Sequence, residues 1–409
     1  MDRFPRVLAI IQAGGAGSRM DVLTRERAKP ALPFAGCFKL IDFALSSLAG
    51  SGIPDVWVSV SYLASTLDPY LAQGRPWDLD RTRGGYRRVV PEEGGAATES
   101  GFAAGNADNL VQLQGAIEDF GADVLVVMSA DHVFNLDLRP VIREHLAREA
   151  ECTVLTAETT REEARQKAVV TVGDGGLVEA FAYKPERPGG TTVATEIFLY
   201  APGVVLGELR RLRGELAATA DDGSSGLGDF GEHLLPALVA RSRVFASPLP
   251  GYWRDLGRPQ AYLQAHRDLL AGRVDVFDDA RAPILTRWPE VVPAIVRPGG
   301  AVEDAMLSPG VEVRGTVLRS VLGPGVVVEK GAVVEDCVIG ADVVVSAGAQ
   351  VRTSIVDDGC RIGRRAVVGA TPSATRLRDE DITLLGRDCE VGGGSTVLPG
   401  ARLEPGTTT

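Results

Sequence analysis

VLGPGVVVEKGAVVEDCVIGADVVVSAGAQV, residues 321–351, repeats every six positions. Val321, Val327, Val333, Ile339, Val345 and Val351 hold aliphatic side chains at that step, and Val326, Ala332, Val338 and Val344 form a second track just before it. Glycine, proline and acidic residues fill the intervals. A period of six differs from the alternation by two of a half-buried strand in a β-sandwich. It is the mark of a parallel β-helix, in which each hexapeptide forms one flat side of a coil. Such a β-helix is expected over residues 299–409. A connection at 275–298, holding Pro283, Pro289, Pro293 and Pro298, precedes it.

Residues 1–274 follow another pattern. Val7–Ile11, Val56–Val60, Val124–Met128, Thr153–Ala157 and Val169–Val172 are short, β-branched, nearly continuous apolar runs, as strands buried on both faces require. Amphipathic segments such as Asn109–Phe120 and Leu138–Ala150 lie between them. Strand and helix in alternation predict a Rossmann-like α/β domain with a mixed, mostly parallel sheet, whose ligands bind at the carboxyl ends of the strands.

A chain of 409 residues, 45% hydrophobic, is long enough for two cores. With 54 acidic against 43 basic residues, the formal net charge of −11 argues against a broad nucleic-acid-binding surface. Cys37, Cys152, Cys337, Cys360 and Cys389 form no CxxC pair and have no histidine nearby, so neither a zinc site nor a disulfide framework is indicated, and a reducing cytoplasm is expected. The apolar run after Arg3 and Arg6 is too short for a secretion signal, and no stretch approaches the length of a membrane span.

The first strand runs into Gln12-Ala13-Gly14-Gly15-Ala16-Gly17-Ser18-Arg19. Glycines there let backbone amides approach phosphate oxygens, and Arg19 adds a cation beside them. The spacing is not the GxGxxG of a dinucleotide fingerprint. Arg27-Ala28-Lys29-Pro30-Ala31-Leu32-Pro33 follows, with Lys29 between prolines in a stiffened loop, then Leu40-Ile41-Asp42-Phe43. Asp131, in Ser129-Ala130-Asp131-His132, stands at a strand end, and Asp255 lies in Gly251-Tyr252-Trp253-Arg254-Asp255-Leu256-Gly257.

In this order the motifs resemble the sugar nucleotidyltransferases, and within them the ADP-glucose pyrophosphorylases, over nearly the whole chain. The resemblance implies attack by a hexose 1-phosphate on the α-phosphorus of a nucleoside triphosphate, ATP by family default, with pyrophosphate leaving. Such in-line transfer needs positioning and charge neutralisation, not a covalent intermediate. Arg19, Lys29 and Asp131 would be catalytic. Ala13, Gly14, Gly15, Gly17, Arg19, Lys29, Gly105 and Asp108 would bind the nucleotide. Asp131 and Asp255 would share Mg²⁺, which prefers carboxylate and phosphate oxygens. Lys184, Tyr183, Glu196 and Asp229 would form the sugar-phosphate pocket.

The chain departs from the family chiefly around that pocket. Tyr183 stands where the family has a glutamate before its lysine, and Glu196 is the candidate replacement for the lost carboxylate. Phe102-Ala103-Ala104 replaces a family Trp-Tyr-Arg, and Lys167-Ala168 a Phe-Gly. Ser61-Tyr62 in place of Gln-Tyr puts the family's usual allosteric control in question. Because sugar hydroxyls are read by buried hydrogen bonds, these exchanges bear on specificity.

Two other functions have some support in the sequence. Hexapeptide coils often serve acyltransferases, but these use a histidine base near the coil, and His132, His145, His233 and His266 all lie upstream. A non-catalytic regulatory subunit keeping the fold stays open as the alternative. The coil is then an oligomerisation element, and family precedent implies a homotetramer.

Overall fold

A computed structural model of the protein describes residues 5–14, 17–60, 62–82, 84–89, 105–217, 226–371 and 377–409. Gly15, Ser61 and Phe102-Ala103-Ala104 therefore lie outside the described residues.

Apart from a small antiparallel pair at Pro33–Phe34 and Phe38–Lys39, the described strands of the first half are β1 (Val7–Gln12), β2 (Val56–Ser59), β3 (Arg87–Val89), β4 (Val124–Ser129), β5 (His132–Val133), β6 (Cys152–Glu158), β7 (Ala168–Val172), β8 (Val178–Tyr183), β9 (Thr192–Tyr200), β10 (Val244–Pro248) and β11 (Arg254–Asp255). Nine of them form one sheet in the order β8-β7-β9-β4-β1-β2-β3, with β6 joining β9 to β10. β1 lies parallel to β2 and β4, and all six of its residues are buried, as its unbroken apolar run requires. β9 instead runs antiparallel to β4, β6 and β7, so the sheet is mixed. Short connections such as that from β7 to β8 leave no room for the crossover a parallel pair needs. Apolar cores cover both faces: Ile11, Leu45, Val58 and Met128 on one, Leu8, Leu110, Phe198 and Leu234 on the other.

The second half is a three-sided parallel β-helix, built as three six-stranded sheets. Between Thr316 and Val368 the coil is one residue short of three hexads, since Val327 pairs with Val344 and Val333 with Gln350. The inward track is therefore Leu322, Val328, Val334, Ile339, Val345, Val351, Val356, Ile362 and Val368, stepping by six, six and five. Of the residues that the strict step picks out, Ile339, Val345 and Val351 are inside, while Val327 and Val333 stand half-buried on the flank. One side of each of these middle coils shortens to five because tight turns such as that at Asp336, φ 57°, use one residue fewer.

One side of the β-helix packs on the first half. Val338, Ile355, Ile382 and Leu384 share a buried cluster with Met20, Phe34, Phe43 and Tyr262. Among the described residues no helix is long and apolar enough to cross a membrane.

Candidate active site

The carboxyl ends of β1 and β4 point the same way, so the glycine loop and Asp131 emerge side by side. Asp255 reaches them through a two-stranded ribbon, in which β11 pairs antiparallel with β5 and Asp255 faces His132. This register brings together two aspartates from distant motifs.

Lys29 stands between them. Its Nζ lies 2.5 Å from Asp131 Oδ2 and 3.5 Å from Asp255 Oδ1, and the side chain is only 7% exposed. Gly17, at φ 63°, lets it pass: a Cβ there would lie 3.0 Å from the Lys29 Cβ. Ser129 donates its hydroxyl to Asp131 Oδ1. His132 anchors Nδ1 on the Thr195 carbonyl at 3.0 Å and turns Nε2 to within 3.4 Å of Asp131, 3.7 Å of Asp255 and 3.9 Å of Glu196. Lys167 contacts the other oxygen of Asp255 at 2.9 Å.

These charges shift one another. Burial would lower the Lys29 pKa, but Asp131 and then Asp255 outweigh it and hold it above the ordinary lysine value. Burial would raise both aspartates; Lys29 and His132 hold Asp131 below the usual range, and Lys167, Lys29 and His132 hold Asp255 well below it. Glu196 is shifted upward, by burial first and by the two aspartates against the opposing pull of His132.

Arg19, Tyr183, Lys184, Glu196, Asp229 and Asp255 line one cavity of about 90 Å³. The exposed Arg19 has no ion-pair partner among the described residues, and its Nη2 lies 3.5 Å from where a Cβ on Gly257 would sit. Tyr183 donates to Asp229 at 3.1 Å and accepts from Lys184 Nζ at 2.6 Å. Glu196 takes φ 58° at a bulge where the β9–β6 register shifts, and such bulges re-aim side chains beside active sites. Gly105 is extended, and a Cβ there would come within 2.3 Å of the Gly228 carbonyl, so this glycine lets the Asp229 loop close on the helix Asn106–Gln112. Asp108 is buried on that helix and, like Ala13, Gly14 and Gly17, does not line the cavity.

Residues 8–272 match the family described as nucleotidyl transferase, and residues 291–382 match the GlmU-like C-terminal hexapeptide domain. The chain belongs to the nucleotidyltransferase family. It is 34% identical to a glucose-1-phosphate adenylyltransferase of Frankia casuarinae over 94% of this chain and 98% of that protein. It is 35% identical to one from Thermomicrobium roseum (89% and 93%) and 30% identical to one from Fervidobacterium nodosum (87% and 85%). The second half of this nucleotidyltransferase is accordingly a left-handed parallel β-helix of hexapeptide repeats.

The donor set of the nucleotidyltransferase fits Mg²⁺. Asp131 and Asp255, both held below the usual carboxylate range, face a common point near His132 Nε2 and are bridged by a lysine whose ammonium supplies the charge a cation would. A cluster of Asp131, His132 and Glu196 also brings one ligand atom each within 4.8 Å.

Three residues make contacts that the sequence does not reveal, two of them within the site. Lys167 registered only as a departure from family pattern, and His132 only as a neighbour in a motif. Arg27, placed there among the residues of the phosphate loop, instead turns its guanidinium to Asp357 and Asp358 of the β-helix.

Proposed function

We propose that the protein is a glucose-1-phosphate adenylyltransferase, forming ADP-glucose and pyrophosphate from ATP and glucose 1-phosphate for α-glucan synthesis. The observation that carries this reading is the β5–β11 ribbon, which sets Asp131 and Asp255 around Lys29 with Arg19 at the rim. The family's relatives bear the same enzymatic name, and none supports the regulatory-subunit alternative.

A phosphate oxygen of the sugar phosphate forms a bond to the α-phosphorus as the bond to the bridging oxygen breaks; pyrophosphate leaves with the electron pair. Arg19 and the glycine loop with Ala13, Gly14, Gly15 and Gly17 hold the triphosphate, and Lys29 offsets charge moving onto the leaving group. Gly105 and Asp108 shape the nucleotide side. Asp131 and Asp255 would hold Mg²⁺, which would supply further neutralisation of the triphosphate. Lys184, Tyr183, Glu196 and Asp229 hold the sugar phosphate. We take the enzyme to work in the cytoplasm as a homo-oligomer, a tetramer by family precedent; exposed Val291, Val292, Ile295 and Val296 offer an apolar surface for such contact.

The test is pyrophosphate release across ATP, UTP, GTP and dTTP, each crossed with several hexose 1-phosphates. ATP with glucose 1-phosphate should give the highest kcat/KM. Silence across the panel with intact nucleotide binding would establish the regulatory subunit instead.

A further inference from the structure

Lys167 immediately precedes β7, and none of the roles above uses it. Its ammonium lies 2.9 Å from Asp255 Oδ2 and 4.8 Å from the centre of the Trp253 ring, on a side chain only 15% exposed. Its carbonyl accepts the Lys184 amide at 3.0 Å, so the two lysines are tied together across the β7–β8 pair. Their ammonium groups diverge. Lys184 is exposed and folds its Nζ over its own neighbour Tyr183, whereas Lys167 points into the carboxylate centre. Lys167 also borders both the small cavity holding Tyr183, Glu196 and Asp229 and a larger cleft of about 560 Å³ holding Arg19 and Arg254. It thus stands where a phosphate joined to a sugar in the small cavity would meet the metal-binding carboxylates.

We propose that Lys167 is a ligand of the sugar phosphate, parked on Asp255 until Mg²⁺ engages that carboxylate. This rests on the adenylyltransferase reading. Asp255 Oδ2 cannot bind a metal and keep a lysine at hydrogen-bond distance at full strength. The ammonium, supported on the Trp253 face, is then freed beside the incoming phosphate. A phosphate monoester is a dianion, and a second charge-assisted hydrogen bond suits it. The motif that this stretch resembles has phenylalanine at this position, so Lys167 is a departure from that pattern. It accompanies the exchange of a family glutamate for Tyr183 and the turning of Glu196 into the same cavity: charge in the pocket is redistributed.

The experiment compares wild type, Lys167→Met and Lys167→Arg, with Lys167→Gln in reserve should the methionine variant not fold. In the pyrophosphate assay the methionine variant should raise the KM for glucose 1-phosphate about 10- to 100-fold, the loss expected of one charged hydrogen bond. The KM for ATP should stay as in wild type, and arginine should restore most of the difference. Without turnover, Mn²⁺ titration followed by electron paramagnetic resonance should show tighter metal binding in Lys167→Met, because the competitor for Asp255 is gone. Calorimetric titration of the Mn²⁺-loaded protein with glucose 1-phosphate should show the same affinity loss as KM.

Equal glucose 1-phosphate affinity in wild type and Lys167→Met overturns the proposal, as does a parallel rise in both KM values, which marks a structural role. If wild type releases no pyrophosphate with any substrate pair, the functional reading fails by itself. The calorimetric arm then decides on Lys167: binding lost in the methionine variant sustains it, and equal or absent binding overturns it.

Discussion

Lys29 is a buried cation that survives because two carboxylates share it. Removing one of those carboxylates tests chemistry and electrostatics together. Asp131→Asn leaves Lys29 with Asp255 at 3.5 Å and keeps the side-chain shape, so the protein should stay folded. Turnover should fall by at least about 100-fold, the scale seen when a group that stabilises developing charge is lost. Pyrophosphate release, paired with circular dichroism melting, checks this; full activity in the variant would remove Asp131 from the metal site. Glu196→Gln probes the sugar side. Its left-handed backbone at the bulge holds the side chain over the cavity, and the amide keeps that shape while losing the charge. The KM for glucose 1-phosphate should rise about 10-fold, the worth of one hydrogen bond to a charged group, with little change for ATP. An unchanged KM would return the lost family carboxylate to the list of unreplaced groups. The residues legible in the sequence were those inside local motifs: Arg19, Lys29, Asp131 and Asp255. Lys167 was illegible because its meaning depends on Asp255, 88 positions away along the chain.

At the scale of elements, a two-residue strand matters more than its size suggests. β11 pairs with β5 over only two positions, yet that register sets Asp255 beside Asp131. Sequence periodicity cannot reveal so short an element, and likewise the antiparallel turn of β7, β8 and β9 was hidden behind apolar runs that look alike in either direction. The β-helix was legible as a repeat, but its five-residue side emerges only when coils are stacked. The helix Leu40–Gly50 carries a testable charge at its start. Asp42 is fully buried, accepts hydrogen bonds from the Lys39 amide at 2.8 Å and the Tyr70 hydroxyl at 2.7 Å, and Tyr70 in turn meets Thr286 at 2.8 Å. Burial pushes its pKa up to about 7, against the pull of those hydrogen bonds. The folded protein therefore holds a proton that the unfolded chain releases near pH 4, and this contribution to stability, full below that point, is lost as pH rises towards 7. Asp42→Asn cannot lose it. The variant's unfolding free energy relative to wild type should climb by about 3 kcal/mol between pH 5 and 7.5, read from urea midpoints. A flat difference would mean that the carboxyl is already ionised at pH 5.

At the scale of the whole molecule, the two halves are joined by charge as well as by the apolar cluster around Phe34, Tyr262 and Leu384. Arg267 grips Asp336 through two hydrogen bonds of 2.8 and 2.6 Å, and Asp21 and Arg25 meet Arg402 and Glu404 at the surface. The buried contact is Arg27, whose Nη2 reaches Asp357 at 2.7 Å and Asp358 at 2.6 Å from a position two residues before Lys29. The loop that carries Lys29 is thereby fastened to the β-helix. The two acceptors are not equivalent. Asp358 is also met by Arg387 at 3.3 Å, while the side chain of Asp357 is 6% exposed and has Arg27 as its one ion-pair partner in direct contact among the described residues. Arg27→Met should therefore destabilise the protein by about 3–5 kcal/mol, mostly by stranding the Asp357 charge. Adding Asp357→Asn to Arg27→Met should recover most of that loss, whereas adding Asp358→Asn should recover little. Chemical denaturation of the three variants distinguishes a stranded charge from lost packing, because lost packing would leave both double variants as unstable as the single one.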